Sequence, residues 1–316
     1  MIGPVLTGRR LLFVTGKGGV GKTTVAAGLA LMLAEQGKTV LACEIDAKGD
    51  LSAAYEIPPV GFDPVKVTSS LSVMAMDTEA SLREYLRLNL KIPIMGRIGP
   101  LAAAFDFVAT AAPGVREILT VGKICWEVRE RHYDVVVVDA PASGHIISQL
   151  AAPDAIAELV RIGPIRNQSQ WMAEILNNPQ ATGVVVATTA EEMPIAETIE
   201  LTQRLEQETS VEVAGIVVNR VLPERFGPRE AAAFAALNSD THRAWIDEHL
   251  PEGAPAVLEA TRLATQLRRH RSRHLDVLRR EMDPSVPLYY LPELFTRAEG
   301  LRMTRQVATH LAEELG

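Results

Sequence analysis

A chain of 316 residues, 47% hydrophobic and 22% charged, has the size of one large α/β domain or two small ones, and its composition excludes general disorder. Its net charge of −7 provides no electrostatic footprint for non-specific nucleic-acid binding, so no nucleic acid is expected as a partner. The two cysteines, Cys43 and Cys125, form neither a CxxC pair nor a disulfide framework, which points to reduced thiols and a cytoplasmic location. No stretch is long and uncharged enough to span a bilayer, and the apolar run after Arg9 and Arg10 is too short for a signal peptide.

Leu11-Leu12-Phe13-Val14 reads as a buried strand and Thr23 to Gln36 as a helix closed by Gly37. Between them runs Gly16 to Thr24, GKGGVGKTT, with the Walker A spacing of one glycine, four residues, then Gly-Lys-Thr. Glycines let successive N–H groups turn toward one anion, and the helix N-terminus adds partial positive charge. Lys22 is suited to neutralise the β- and γ-phosphates of ATP, and the Thr23 hydroxyl to ligate Mg²⁺. Gly16, Lys17, Gly18, Gly19, Val20, Gly21, Lys22, Thr23 and Thr24 are therefore the expected nucleotide contacts. Lys17 is not required by the basic loop and reads, from the spacing alone, as a solvated lysine.

Thr39 to Ile45 reads as a second buried parallel strand that delivers Asp46 at its C-terminal end, the edge where α/β sheets bind ligands. Ala47 to Tyr55 is a loop running into a short helix, Leu71 to Met76 a strand, and Thr78 to Leu90 a helix. Ile92 to Ala112 is rich in small apolar residues and Met, and is broken by Pro93, Gly96, Gly99 and Pro100. It reads either as kinked buried packing or as an adaptable apolar surface for another hydrophobic segment, with Met95, Leu101, Phe105 and Phe107 as its contacts. Val115 to Arg131 is a helix introduced by Pro113-Gly114.

Asp134 to Asp139 is the strongest buried strand, and a carboxylate at the tip of an all-valine run is rarely a core residue because burying it unpaired is costly. Asp139 is placed as a Walker B group supporting the Mg²⁺ shell. Gly183 to Thr188 and Val211 to Val218 are further strands around the helix Met193 to Glu208, and the second ends in Asn219. That amide either reads a purine edge or forms a turn. Pro228 to Met282 is mostly helical and its Arg/His-dense stretch reads as a solvated face; Val286 to Leu291 is a last strand, Leu291 to Leu294 a loop, and Glu299 to Leu315 a closing helix.

The loop with Lys17 resembles the deviant Walker A of the dimeric nucleotide-sandwich ATPases. The run Asp139-x-x-x-Ser143-Gly144-His145, followed by Leu150 and Pro153, resembles the second switch of the arsenite-transport and tail-anchored-protein-targeting family. Asp46 to Tyr55 at the first switch, Ile216 to Asn219 at the adenine site, Leu291-Pro292-Glu293 and Pro113-Gly114 agree with it.

The resemblance implies that Lys17 reaches the other subunit's nucleotide and, with Lys22, stabilises the transferring phosphoryl group. It further implies that Asp46 orients or deprotonates the attacking water, that Asn219 and Pro292 hold adenine, and that Ser143, Gly144 and His145 sense the γ-phosphate alongside Asp46. The departures are Ala47-Lys48-Gly49 where the family has Pro-Ala-His, no CxxC for a dimer-stapling zinc, and too few thiols for a metalloid site.

The expected fold is an α/β P-loop NTPase, a mostly parallel twisted sheet flanked by helices, forming a single domain over 1–316 with a helical apolar insertion at about 78–131. The expected function is a Mg²⁺-ATP-hydrolysing dimer, homomeric or paired with a related subunit, that shields or targets hydrophobic membrane-protein segments. The alternatives are the energising subunit of an anion transporter, bound to a membrane partner, and a partition-type positioning ATPase; the acidic ending Leu311 to Leu315 speaks against the latter.

Overall fold

The strand that leads into the phosphate loop, Leu11–Gly16, lies near the centre of a sheet that among the described residues has eight strands, in the order Val65–Lys66, Leu71–Ala75, Val40–Glu44, Val135–Asp139, Leu11–Gly16, Thr182–Thr189, Val213–Val221 and Leu288–Pro292. The computed structural model describes residues 4–90, 114–160, 163–224, 226–237, 239–251, 253–295 and 298–316. In chain order these are α1 Pro4–Thr7, β1 Leu11–Gly16, α2 Lys22–Glu35, β2 Val40–Glu44, α3 Asp50–Ala54, β3 Val65–Lys66, β4 Leu71–Ala75 and α4 Thr78–Leu90. There follow α5 Val115–Arg129, β5 Val135–Asp139, α6 Ser143–Leu159, α7 Pro164–Leu176, β6 Thr182–Thr189, α8 Glu192–Glu208 and β7 Val213–Val221. The chain closes with α9 Pro228–Ala236, α10 Asp240–His249, α11 Ala254–Glu281, β8 Leu288–Pro292 and α12 Gly300–Leu315.

The strand pairs are parallel except at the edge, where the two-residue β3 runs antiparallel to β4. The parallel strands carry continuous apolar runs because the sheet is covered on both faces. Leu12, Val14, Val135 and Val137 face a cluster built with α2 and α12, whereas Leu11, Phe13, Val136 and Val138 face one built with α5 to α8 and α11. Along α2 every residue from Val25 to Ala34 is buried. Gly28 is the contact point with α12, since a Cβ there would lie 2.4 Å from Val307 Cγ1. A helix wedged between sheet and helix needs an apolar surface all round, which explains its uniform sequence.

The register fixes the ligand edge. Asp139 at the end of β5 stands opposite both Val14 of β1 and Glu44 of β2. Three carboxylates, Glu44, Asp46 and Asp139, are thereby collected beside the phosphate loop.

Several expectations need adjustment. The run after Asp139 forms a 17-residue helix, α6, with Pro153 inside it, and α7 follows with Pro164 in its first turn. β7 continues two residues past Asn219, and Pro292 is the last residue of β8 and not part of a loop. Proline is tolerated there as the terminal residue of an edge strand. Of the insertion expected at about 78–131, α4 and α5 are described and pack on each other: Lys123 of α5 donates to Glu84 of α4 at 3.0 Å and to Glu127 at 2.7 Å. Met95, Leu101, Phe105 and Phe107 lie outside the described residues.

Candidate nucleotide site

The phosphate loop is shaped by two positions where only glycine fits. Gly16 has φ +144°, and a Cβ there would sit 2.1 Å from the Ala187 carbonyl oxygen of β6. Gly21 has φ +91°, and its Cβ would meet Asn219 Nδ2 at 2.4 Å. Gly21 caps α2 in the left-handed region, no acidic residue occupies the first helical turn, and the unsatisfied N–H groups face an open cleft of about 680 Å³. That volume is in the range of small-molecule sites. Gly18, Gly19, Gly21, Lys22, Thr23 and Thr24 line it from the phosphate loop, and Gly300, Met303 and Thr304 line it from the start of α12. Lys22 Nζ donates to the Lys17 carbonyl at 3.3 Å, and burial pulls its pKa below the usual lysine value.

Thr23 Oγ1 donates to Asp139 Oδ2 at 2.6 Å, so the loop and the end of β5 are tied directly. Burial pushes the Asp139 carboxyl up to about 6; the Thr23 hydroxyl and Lys22 oppose the shift, while Glu44 and Asp50 add to it. Its other oxygen, Oδ1, is buried without a hydrogen-bond partner. An unpartnered carboxylate oxygen beside a threonine hydroxyl fits the outer shell of a magnesium ion, which takes oxygen ligands and keeps several waters.

The exit of β2 supplies a group that the sequence reading missed. Glu44 is 2% exposed, and its carboxylate accepts the backbone N–H groups of Lys48 at 2.9 Å, Gly49 at 3.2 Å and Asp50 at 3.1 Å. It thereby pins the loop that carries Asp46 and starts α3. Ala47 in that loop has φ +48°, which proline cannot adopt, so Ala47-Lys48-Gly49 holds a backbone path closed to a Pro at that position. The signal was present: a glutamate at the tip of Val40-Leu41-Ala42-Cys43 poses the same burial problem as Asp139. Asp46 and Lys48 both line the cleft, and Lys48 Nζ lies 3.3 Å from Asp46 Oδ2.

Asn219 and Pro292 are brought together in a small cavity with Thr24, Arg220 and Met303. Its volume of about 40 Å³ admits a few waters and not a purine. The Asn219 amide is engaged at both ends: Nδ2 donates to the Val20 carbonyl at 2.9 Å, and Oδ1 accepts the Arg220 N–H at 2.9 Å. In this state Asn219 supports the phosphate loop from beneath. Arg220, next to it, has φ +56°.

Lys17 does not line the cleft. Its ammonium lies 2.5 Å from Glu197 Oε1 of α8. Ser143 opens α6, and Gly144 and His145 are exposed in its first turn; from this segment the cleft takes Asp139 and Ala140 as its lining.

A family model described as "Anion-transporting ATPase" matches residues 9–173 and 159–244. ATPase BagA of Mycobacterium tuberculosis is 34% identical over 254 residues, covering 76% of this chain and 74% of its own. ATPase get3 of Schizosaccharomyces japonicus is 29% identical over 259 residues, 68% of this chain and 76% of the relative. A putative arsenical pump-driving ATPase of Halobacterium salinarum is 27% identical over 240 residues, 69% of this chain but 36% of that longer protein. A phosphate loop on the central strand, a threonine tied to the β5 aspartate and matches of this extent together establish that the chain belongs to the ArsA-type anion-transporting ATPase family and hydrolyses ATP.

Proposed function

We propose that the chain works as a Mg²⁺-ATP-driven switch, paired with an identical or related subunit in the cytoplasm, that shields a hydrophobic membrane-protein segment in one nucleotide state. The observation carrying the paired arrangement is the direction of Lys17: it lies on the phosphate loop yet is turned from its own cleft toward Glu197. A loop lysine that its own cleft does not use suits a phosphate held by a neighbouring subunit once the Glu197 pair opens.

Within one cleft the roles divide by position. The loop N–H groups and Lys22 bind and neutralise the β- and γ-phosphates. Thr23 and Asp139 hold the magnesium shell, and the ion, when bound, draws charge from the phosphate oxygens. Asp46, on the loop pinned by Glu44, positions a water in line with the γ-phosphate and takes up its proton. Asn219 and Pro292 receive the adenine once the small cavity between them widens. Loss of the γ-phosphate is passed to Ser143, Gly144 and His145 at the start of α6 through Asp139, four residues before Ser143.

The segment between α4 and α5 is the proposed client surface. The alternative, an energising subunit of an anion transporter, is supported by the name of the Halobacterium relative. Arsenite itself is a poor fit for that anion: Cys43 and Cys125 are buried and desolvation pushes both thiols well above their usual pKa, whereas a metalloid takes several exposed thiolates.

The deciding experiment holds Asp46→Asn protein in Mg²⁺-ATP or Mg²⁺-ADP and asks whether photo-crosslinkers at Met95 and Phe105 capture a single transmembrane helix. Capture in one nucleotide state supports the shielding role. No capture in either state, in a sample shown to be dimeric, replaces it with the transporter subunit.

A further inference from the structure

We propose that Lys48 is a catalytic residue of the hydrolysis: its ammonium moves from Asp46 to the γ-phosphate of ATP, and the move frees Asp46 for the attacking water. The Asp46 half of this statement rests on the function proposed above; the Lys48 half rests on the cleft alone.

Charge balance in the cleft is the first argument. Its lining contains the carboxylates of Glu44, Asp46, Asp50, Asp139 and Glu299, and the lysines Lys22 and Lys48. A polyphosphate brought into so acidic a lining needs cations beyond one magnesium ion and Lys22. Lys17, the other lysine of the phosphate loop, is held by Glu197 outside the cleft. Lys48 therefore carries half of the lysine charge available to the nucleotide within one chain. Its charge is felt at the phosphate loop, where it helps lower the pKa of Lys22.

The second argument is mechanical. The backbone under Lys48 is fixed, because its own N–H and the next two are all accepted by the buried Glu44 carboxylate. The side chain is not: Lys48 is 66% exposed and its partner Asp46 is 46% exposed, separated by 3.3 Å. An ion pair so open to water is weak, so a γ-phosphate with more than one negative charge competes for the ammonium. A flexible four-carbon stem on a rigid base allows that transfer without moving the loop.

The chemical step balances without Lys48 giving or taking a bond. The water oxygen bonds to the γ-phosphorus as the bond to the bridging oxygen breaks, and that oxygen leaves on ADP with the electron pair. One water proton passes to the Asp46 carboxylate. Lys48 stabilises the charge on the equatorial oxygens during the transfer.

The test uses Lys48→Met, which keeps an unbranched stem and removes the charge, and Lys48→Arg, which keeps the charge. Binding of Mg²⁺-ATP and of Mg²⁺-ADP is measured separately by titration calorimetry, alongside kcat. For Lys48→Met the expected result is an ATP affinity weakened about tenfold, an ADP affinity within about twofold of the parent, and kcat down at least about tenfold, with Lys48→Arg recovering part of each. Equal weakening of both nucleotides, or unchanged ATP binding and turnover, overturns the assignment. The two halves separate cleanly. If Asp46→Asn turns over normally while Lys48→Met still loses ATP selectively, Asp46 is removed from the mechanism and Lys48 stands as a γ-phosphate ligand.

Discussion

Lys17 and Glu197, separated by 180 residues in sequence, meet at 2.5 Å and hold the loop lysine against α8, away from the cleft of its own chain. Both side chains are only about one-third exposed, at 29% and 32%. If Lys17 acts on a neighbouring subunit, this pair must break first. Glu197→Gln is then expected to raise ATP turnover about two- to fivefold at low protein concentration, since the lost pairing is worth on the order of 1 kcal/mol. Lys17→Ala is expected to cost no more than about 1 kcal/mol in unfolding, the worth of the Glu197 pair, and to abolish the dependence of specific activity on protein concentration. A Lys17→Ala protein whose specific activity still climbs with concentration removes the trans role.

Asp46→Asn keeps the size and the hydrogen-bonding reach of the side chain but cannot accept a proton from water. It is expected to bind Mg²⁺-ATP normally and to turn over at least roughly a hundredfold more slowly. Phosphate release under single-turnover conditions is the measurement, and an unchanged rate places the base elsewhere.

Asp139 makes stability pH-dependent in the magnesium-free protein. Its pKa is raised from 3.8 to about 6, so between those values the folded chain holds a proton that the unfolded chain has lost. Its contribution is therefore fully present below pH ~4 and is lost as pH rises through about 6. Asp139→Asn imitates the protonated form and keeps an acceptor for Thr23 Oγ1. It is expected to be more stable than the parent by roughly 3 kcal/mol at pH 8, a difference that closes toward pH 4. Urea unfolding across pH checks it, and a constant difference would show that desolvation of Asp139 is not the cause. The same variant is expected to lose Mg²⁺-dependent ATP binding.

Glu44 accepts three backbone N–H groups at once, so Glu44→Ala leaves three donors without partners at the start of α3. The expected cost is roughly 2–4 kcal/mol, with turnover down at least about tenfold because the Asp46 loop is released. Ala47→Pro is expected to reproduce the loss, since φ +48° is closed to proline, whereas Ala47→Gly is expected to be neutral or to stabilise by up to about 1 kcal/mol. Paired urea melts and steady-state assays on the three variants test this; a fully active Ala47→Pro contradicts it.

Lys123 joins the two helices that flank the apolar segment, and both it and Glu127 are more than nine-tenths buried. Lys123→Ala leaves Glu127 as an uncompensated buried charge and is expected to cost about 3 kcal/mol. Equilibrium unfolding measures it, and a loss under about 1 kcal/mol means that His132, which also contacts Glu127 at 2.7 Å, suffices as its partner.

Features legible in the sequence were those whose physics is local. Nine contiguous residues specify the phosphate loop, because its glycines and Lys22 act on one phosphate group and Thr23 on the magnesium ion that goes with it. The valine run ending in Asp139 announced a strand buried on both faces with a carboxylate that had to find work at its tip. The stretch after it was less legible: Pro153 argues against a helix locally, yet α6 forms around it because Ile146, Ile147 and Leu150 are buried in the cluster under the sheet. α7 was missed for a similar reason, since its amphipathic pattern has meaning only against α6 and β6.

The sequence alone determined the nucleotide chemistry, the α/β class and the carboxylates at the strand tips, since each follows from neighbours in the chain and from the cost of burying charge. Tertiary structure decided which of those groups meet. Strand order set Glu44 level with Asp139, a glycine at 21 made room for Asn219 to hold the Val20 carbonyl, and α8 brought Glu197 to Lys17. Such pairings depend on how distant segments stack on one sheet, and the order of strands in a sheet is not written in the periodicity of any one of them.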